Sequence, residues 1–155
     1  MPVDQTTAFP PLVLGITGAS GAAYAARLLE VLLVAGREVH LSVSPSGQAV
    51  IGEELGVRID LERFEPEVLL GRASPAVAHL DRLRYFHHKD LMAPIASGSF
   101  QTAGMAICPC SGSTLSAVAH SMGENLIHRA AEVHLKERRT LVVVPRETPL
   151  SLPQM

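Results

Sequence analysis

The amino-acid sequence predicts an α/β fold, a three-layer and doubly wound sheet that is mostly parallel. Short apolar runs that indicate strands alternate with longer stretches whose apolar residues recur at helical spacing. The later runs are continuously apolar, which is typical of parallel strands covered by helices on both faces. With 155 residues the chain has the size of one domain, which we place at 1–155.

In the first half, a strand is predicted at residues 12–14, where an apolar run ends in glycine. A helix follows from Ser20, because apolar residues recur on one face of it until a glycine closes the pattern. Residues 37–44 alternate apolar and polar side chains and predict the second strand, and another helix is expected at about 46–55. Residues 56–80 have a mixed pattern and receive no assignment.

In the second half, three more strands are predicted, the last two as buried strands: residues 82–86, 105–109 and 140–145. A long loop is expected at 89–102. Two helices are expected before the last strand, one directly after the turn PCSGST and one at about 124–138.

Composition and charge exclude several classes of protein. A net charge of −2 gives no general reason to bind nucleic acid or an anionic membrane surface. Residues 1–11 lack the basic start and apolar core of a signal peptide, and no apolar run approaches the roughly 18 residues of a membrane span. Cys108 and Cys110 flank a proline and are interpreted as free thiols, which predicts a cytoplasmic protein. The seven histidines lack metal-ligand spacing, so no metal site is predicted.

The first strand leads into a glycine-rich turn, GITGASG, in which Gly15, Gly18 and Gly21 are spaced G-x-x-G-x-x-G. Such a turn lets backbone N–H groups approach an anion at a helix N-terminus, and Ser20 adds a hydroxyl. A tight turn that needs glycine only for packing remains the alternative.

The residues at the end of the second strand help to distinguish which phosphate-bearing ligand the turn would bind. A dinucleotide site usually places a carboxylate there for the ribose, whereas this chain has Ser42, Ser44 and Ser46. The G-K-[ST] sequence of a P-loop is also absent. A mononucleotide with one terminal phosphate, such as FMN, is the best remaining candidate.

Polar segments follow four predicted strands, and the carboxyl ends of parallel strands meet at one edge of a sheet. PCSGST offers three hydroxyls, of which one is expected to cap the next helix. PRETP places Arg146 and Glu147 after the last strand, where they suit either phosphate binding and proton transfer or a plain surface ion pair. Arg129 and Lys136 are expected to share one face of the last helix.

Three segments together carry a resemblance to a known family: GITGASGAAYAARLL, the long stretch from MAPIASGSFQT to HLKERR, and LVVVPRETPLSL. Over nearly all of residues 11–152 the chain resembles the UbiX/Pad family of flavin prenyltransferases. The resemblance implies a flavodoxin-like, Rossmann-like fold, FMN as cofactor and no metal. It further implies transfer of a dimethylallyl group from a prenyl monophosphate to N5 and C6 of reduced FMN, with the prenylated FMN passed to a UbiD-type decarboxylase. The family assembles as dodecamers with active sites at subunit contacts.

The resemblance also implies roles for individual residues. The residues expected to hold the flavin are Gly18, Ala19, Ser20, Ser44, Ser97, Ser99, Ser111, Gly112, Ser113, Thr114 and Arg129. The residues expected to act in the reaction are Ser20, Lys136, Arg146 and Glu147. Lys136 and Arg146 would neutralise the leaving phosphate, and Glu147 or that phosphate would take the proton lost in ring closure.

One departure from the family concerns the C-terminal end. Family members continue beyond P-R-E-T-P with a further strand and with a Tyr and an Arg at the prenyl phosphate, whereas this sequence ends at SLPQM. We expect a truncated form of a longer protein; a natural short form would bind FMN without prenyl transfer. The alternative functions are an FMN-dependent cysteine decarboxylase, whose P-A-S/T-A-N-T motif differs from PCSGST, and a non-catalytic FMN-binding protein.

Overall fold

The computed structural model describes residues 8–155. Five parallel strands form one sheet in the order β3-β2-β1-β4-β5, with β1 at its centre. The strands are β1 (Leu12–Ile16), β2 (Val39–Val43), β3 (Leu83–Tyr85), β4 (Gly104–Cys110) and β5 (Leu141–Pro145). The predicted α/β class with a parallel sheet is confirmed.

Within residues 8–155, five α-helices connect the strands: α1 (Ala22–Val34), α2 (Pro45–Leu55), α3 (Pro66–Leu70), α4 (Gly112–Ala119) and α5 (Leu126–Lys136). The segment without a sequence assignment contains α3 and a 3₁₀ stretch, Pro75–Arg82. Helix α1 begins two residues later than predicted, because Gly21 has a φ of 122° and cannot be part of the helix. The expected loop contains one short 3₁₀ turn, Pro94–Ala96.

The sheet separates two apolar clusters, one on each face. Helix α1 packs its buried stripe of Ala22, Ala25, Leu29 and Leu33 in one cluster, together with α2, α3 and the β2 side chains Val39, Leu41 and Val43. Helix α5 contributes Leu126, Ile127, Ala130 and Ala131 to the other. The predicted helical cover on both faces is therefore confirmed over the central strands.

One prediction about strand burial is corrected. The last strand was expected to be buried, but β5 is an edge strand and the Val142 side chain is 51% exposed, since no element pairs with its outer edge within residues 8–155. In β2 the polar side chains of His40 and Ser42 are buried as well as the apolar ones. His40 lies between Phe86 and Phe100, which cover that face of β2.

No helix within residues 8–155 is both long enough and apolar enough to cross a bilayer.

Candidate functional site

The predicted site residues are found in two groups. We call the residues at the carboxyl ends of β1, β2, β4 and β5 the strand-end group: Gly18, Ala19, Ser20, Ser44, Ser111, Gly112, Ser113, Thr114, Arg146 and Glu147. The remaining four residues form the α5 group: Ser97, Ser99, Arg129 and Lys136. Among residues 8–155, no hydrogen bond or ion pair joins one group to the other.

Three helices begin at the strand-end group, so their N-terminal amides and positive dipole ends lie at one edge of the sheet. Ser44 caps α2 by accepting a hydrogen bond from the Gly47 amide at 3.0 Å, and its hydroxyl lies 3.2 Å from that of Ser46. Ser111 caps α4 by accepting from the Thr114 amide at 3.2 Å. The expectation that one hydroxyl of PCSGST acts as a cap is confirmed.

Ser111 also belongs to a cluster of hydroxyls at the start of α4. Its Oγ donates to Thr114 Oγ1 at 2.9 Å and lies 3.2 Å from Ser113 Oγ. Ser113 is exposed, whereas Thr114 is buried. Ser111 caps α4, and the hydroxyls of Ser113 and Thr114 lie beside the same helix N-terminus.

Thr17, which the sequence analysis did not single out, joins the turns after β1 and β4. Its hydroxyl donates to the Pro109 carbonyl at 2.7 Å and accepts from the Ser111 amide at 2.8 Å. The side chain is fully buried, so these bonds are shielded from water. Thr17 thereby fixes the glycine-rich turn relative to the hydroxyl cluster.

The glycine-rich turn is shaped by close packing as well as by its amides. A Cβ at Gly18 would lie 2.6 Å from Ser46 Oγ at the start of α2, which leaves no room for a side chain. The alternative that glycine is needed for packing is therefore confirmed at Gly18. Gly18 brings the β1 turn into contact with the α2 N-terminus.

The anion at the N-terminus of α1 is a carboxylate of this chain. Glu54, in the last turn of α2, accepts from the Gly21 amide at 3.0 Å and from the Ala22 amide at 2.8 Å. The Ala22 amide, the Ser20 hydroxyl and the Gly21 amide hold the pKa of Glu54 below its ordinary value. A ligand phosphate was expected at this helix end; in the structure, tertiary packing brings Glu54 there instead.

Arg146 lies over the same turn. Its guanidinium carbon is 4.8 Å from the centre of the Tyr24 ring, and its Nε would be 3.5 Å from a Cβ at Gly21. Glu147, the next residue, accepts a hydrogen bond from Gln154 Nε2 at 3.0 Å. Arg146 and Glu147 thus face different neighbours, and the plain ion pair that the sequence left open is not formed.

The two cysteines are buried in the sheet beneath this region and are free thiols, as predicted. Burial raises the pKa of Cys108, an effect that the nearby Arg146 reduces, and burial raises the pKa of Cys110 to about 11. Both thiols therefore stay protonated near neutral pH and are poor nucleophiles.

The α5 group lies on a different surface. Arg129 and Lys136 line one small pocket together with Ser121, Glu132 and Val133, which confirms that they share a helix face. The Arg129 Nε donates to the Ala96 carbonyl at 3.3 Å, next to the loop in which Ser97 and Ser99 contact each other at 2.9 Å.

Lys136 ends α5, and the chain then enters β5 at Leu141, while Arg146 follows the opposite end of that strand. Five residues of parallel strand span roughly 16 Å. Lys136 is exposed, and its Nζ lies 3.6 Å from Glu137. Within one chain, Lys136 is therefore not brought together with Arg146 and Glu147.

Comparison with known proteins identifies the family. The model of the family described as Flavoprotein matches residues 3–154. The flavin prenyltransferase UbiX of Pseudomonas aeruginosa is 47% identical over 140 residues, which cover 90% of this chain and 66% of that protein. The Halalkalibacterium halodurans UbiX is 45% identical over 139 residues and is covered to 64%. The chain thus spans about two thirds of the length of these relatives.

Solved structures agree with this. AnUbiX, in complex with FMN and dimethylallyl pyrophosphate, has a TM-score of 0.77 and 34% identity, with 94% of this chain and 69% of that chain covered. A dodecameric FMN-dependent UbiX-like decarboxylase from Escherichia coli O157:H7 has a TM-score of 0.73 and 34% identity over 93% of this chain and 70% of that one. The FMN-dependent cysteine decarboxylase TvaF, 13% identical with a TM-score of 0.57 over 90% of this chain and 75% of that one, shares the fold alone. This chain belongs to the flavoprotein family, and within it to the UbiX/Pad group.

Proposed function

We propose that the protein is a flavin prenyltransferase that transfers a dimethylallyl group from a prenyl monophosphate to reduced FMN. The observation that carries this proposal is the strand-end group, where three helix N-termini, a hydroxyl cluster and an arginine meet at one edge of the sheet. The relatives named flavin prenyltransferase and the AnUbiX complex with FMN and dimethylallyl pyrophosphate support it.

The donor set of the strand-end group fits FMN. Hydroxyls and helix amides bind a phosphate monoester or the polar edge of a flavin without needing a metal. Because Glu54 takes the α1 amides, the flavin phosphate is assigned to the N-terminus of α2, with Ser44 and Ser46. The α4 hydroxyls and the Gly18–Ser20 turn then face the rest of the flavin, and the α5 group completes its binding.

Reduced FMN supplies the electron-rich N5 and C6 atoms that take up the dimethylallyl carbons when the carbon–oxygen bond to phosphate breaks. The protein must neutralise the departing phosphate, and Arg146 supplies a planar guanidinium for this at the edge of the sheet. Lys136 provides the second cation. Ser20, in the turn after β1, supplies a hydroxyl close to the reacting flavin. Glu147 or the released phosphate accepts the proton lost when the ring closes.

Within one chain Lys136 lies away from Arg146, so it reaches this site only from another subunit. The strand-end group of one chain would then meet the α5 group of a second. Such an arrangement is consistent with the dodecamer formed by the Escherichia coli relative. We therefore propose a homo-oligomer with its sites at subunit contacts. A cytoplasmic location and delivery of prenylated FMN to a UbiD-type decarboxylase complete the proposal.

The test uses the full chain with reduced FMN and dimethylallyl phosphate under anaerobic conditions, followed by mass spectrometry of the extracted flavin. A gain of one C5H8 unit supports the proposal. The Arg146→Gln variant should transfer the prenyl group at least about 10²-fold more slowly, because one donor that stabilises the developing charge is removed. The matched control is Arg84→Gln, which removes an exposed arginine on β3.

An unchanged flavin would contradict prenyl transfer. If the protein then released carbon dioxide from a cysteine-ended peptide, it would be a cysteine decarboxylase. Binding of FMN without either reaction would leave a non-catalytic FMN-binding protein.

A further inference from the structure

Tyr24 forms one wall of the space that holds Arg146. It lies in the first turn of α1 and is 59% exposed, although a tyrosine ring gains free energy from burial. The Arg146 guanidinium lies over this ring at 4.8 Å. Tyr24 is not among the residues expected at the site from sequence.

Gly21 provides the room for this contact. A Cβ there would lie 3.3 Å from Tyr24 Cδ2 and 3.5 Å from Arg146 Nε. Gly21 also has a φ of 122°, which residues other than glycine rarely adopt. The absence of a side chain at Gly21 therefore leaves room for the Arg146 side chain beside the Tyr24 ring.

The ring contact leaves the hydrogen-bonding capacity of Arg146 unused. Within residues 8–155, the guanidinium makes no hydrogen bond, and no carboxylate oxygen lies within the 4.0 Å of an ion pair, although Glu54 is near enough to feel its charge. Contact with an aromatic face engages none of the N–H donors of a guanidinium in a hydrogen bond, so the donors of Arg146 stay available. An acidic partner would instead consume them.

We infer that Tyr24 is a positioning residue, whose ring holds the Arg146 guanidinium with its N–H donors free for the phosphate of the prenyl donor. This inference rests on the proposed function of the same site. The hydroxyl of Tyr24 takes no part, so a phenylalanine ring should serve equally well.

The kinetic test compares Tyr24→Phe with Tyr24→Leu in the full chain. We expect Tyr24→Leu to raise the KM for dimethylallyl phosphate about two- to fivefold, the value of an exposed cation–π contact. FMN affinity should stay within twofold, and Tyr24→Phe should restore the wild-type KM. Phe9→Leu is the matched control, because Phe9 makes the same kind of contact with Arg37 at 5.1 Å on another part of the molecule.

A double-mutant cycle tests the contact without relying on prenyl transfer. Tyr24→Leu, Arg146→Met and the double variant are unfolded in urea, and their equilibrium constants are compared. A coupling of about two- to fivefold between the two positions supports the inference even if the flavin is never prenylated. Additive effects, or a Tyr24→Phe variant as impaired as Tyr24→Leu, would overturn it.

Discussion

The strand-end group and the α5 group differ in how one chain holds them. Contacts between its turns fix the first: the buried Thr17 bonds across two turns, Gly18 packs on Ser46, and Ser111 caps a helix. The second consists of exposed side chains, with one hydrogen bond from Arg129 to a carbonyl and a contact between two loop serines. A single subunit therefore preorganises the strand-end group, whereas the cations of the α5 group, Arg129 and Lys136, are exposed on its surface.

The largest expected effect comes from filling the close contact at Gly18. Gly18→Ala should destabilise the protein by about 1–3 kcal/mol or more and abolish FMN binding, because the new Cβ collides with the start of α2. Gly98→Ala in the α5 region meets only the end of the exposed Glu137 side chain, at 2.5 Å, which can move away. Urea unfolding and flavin titration of both variants measure the difference between the two positions. Equal destabilisation by the two substitutions would contradict the tighter packing at Gly18.

A smaller effect is expected from the buried hydroxyl that joins the turns. Thr17→Val removes two hydrogen bonds and leaves the Ser111 amide and the Pro109 carbonyl without this partner, at a cost of about 1–3 kcal/mol. Thr140→Val, at an exposed position before β5, should change the free energy of unfolding by less than about 0.5 kcal/mol. Chemical denaturation checks both. A Thr17→Val variant as stable as the wild type would show that the turns are fixed by other contacts.

The next comparison concerns two serines. Ser111→Ala removes the cap of α4 and should cost about 1 kcal/mol. Ser99→Ala, in the exposed loop of the α5 group, should cost a few tenths of a kcal/mol at most. Thermal unfolding of the pair measures the difference, and the reverse order would contradict the distinction between the groups.

The smallest effect is a pH dependence at Glu54. Its pKa is lower in the folded protein than its ordinary value, so its contribution to stability is complete above about pH 4.5 and is lost as the pH falls further. The unfolding midpoint of the wild type should therefore fall more steeply below about pH 4.5 than that of Glu54→Gln. Parallel slopes across that range would show that Glu54 is not bound to the α1 amides.

Parallel topology explains why the strand-end group could be predicted from sequence. Each polar turn follows an apolar run, and the carboxyl ends of parallel strands meet at one edge, so Ser44, Ser111 and Arg146 were expected there. Helical spacing likewise placed Arg129 and Lys136 on one face. These inferences depend only on local pattern and sheet geometry.

Other features depend on tertiary packing and could not be read from local pattern. Glu54 looks like any surface carboxylate of an amphipathic helix until α2 docks beside the α1 N-terminus. The burial of His40 depends on aromatic residues more than forty positions away along the chain. The apolar composition of β5 predicted burial, yet its edge position leaves Val142 exposed. The roles of the individual site residues stay predictions.

The central claim is that the strand-end group of one subunit works with the α5 group of another. Complementation tests it most directly: Arg146→Gln and Lys136→Gln chains are purified separately, then unfolded and refolded together, and prenylated FMN is measured. Each variant alone should be nearly inactive. Mixed oligomers should regain activity, because some subunit contacts then combine an intact Arg146 with an intact Lys136. Mixed oligomers that stay as inactive as the separate variants would contradict the account.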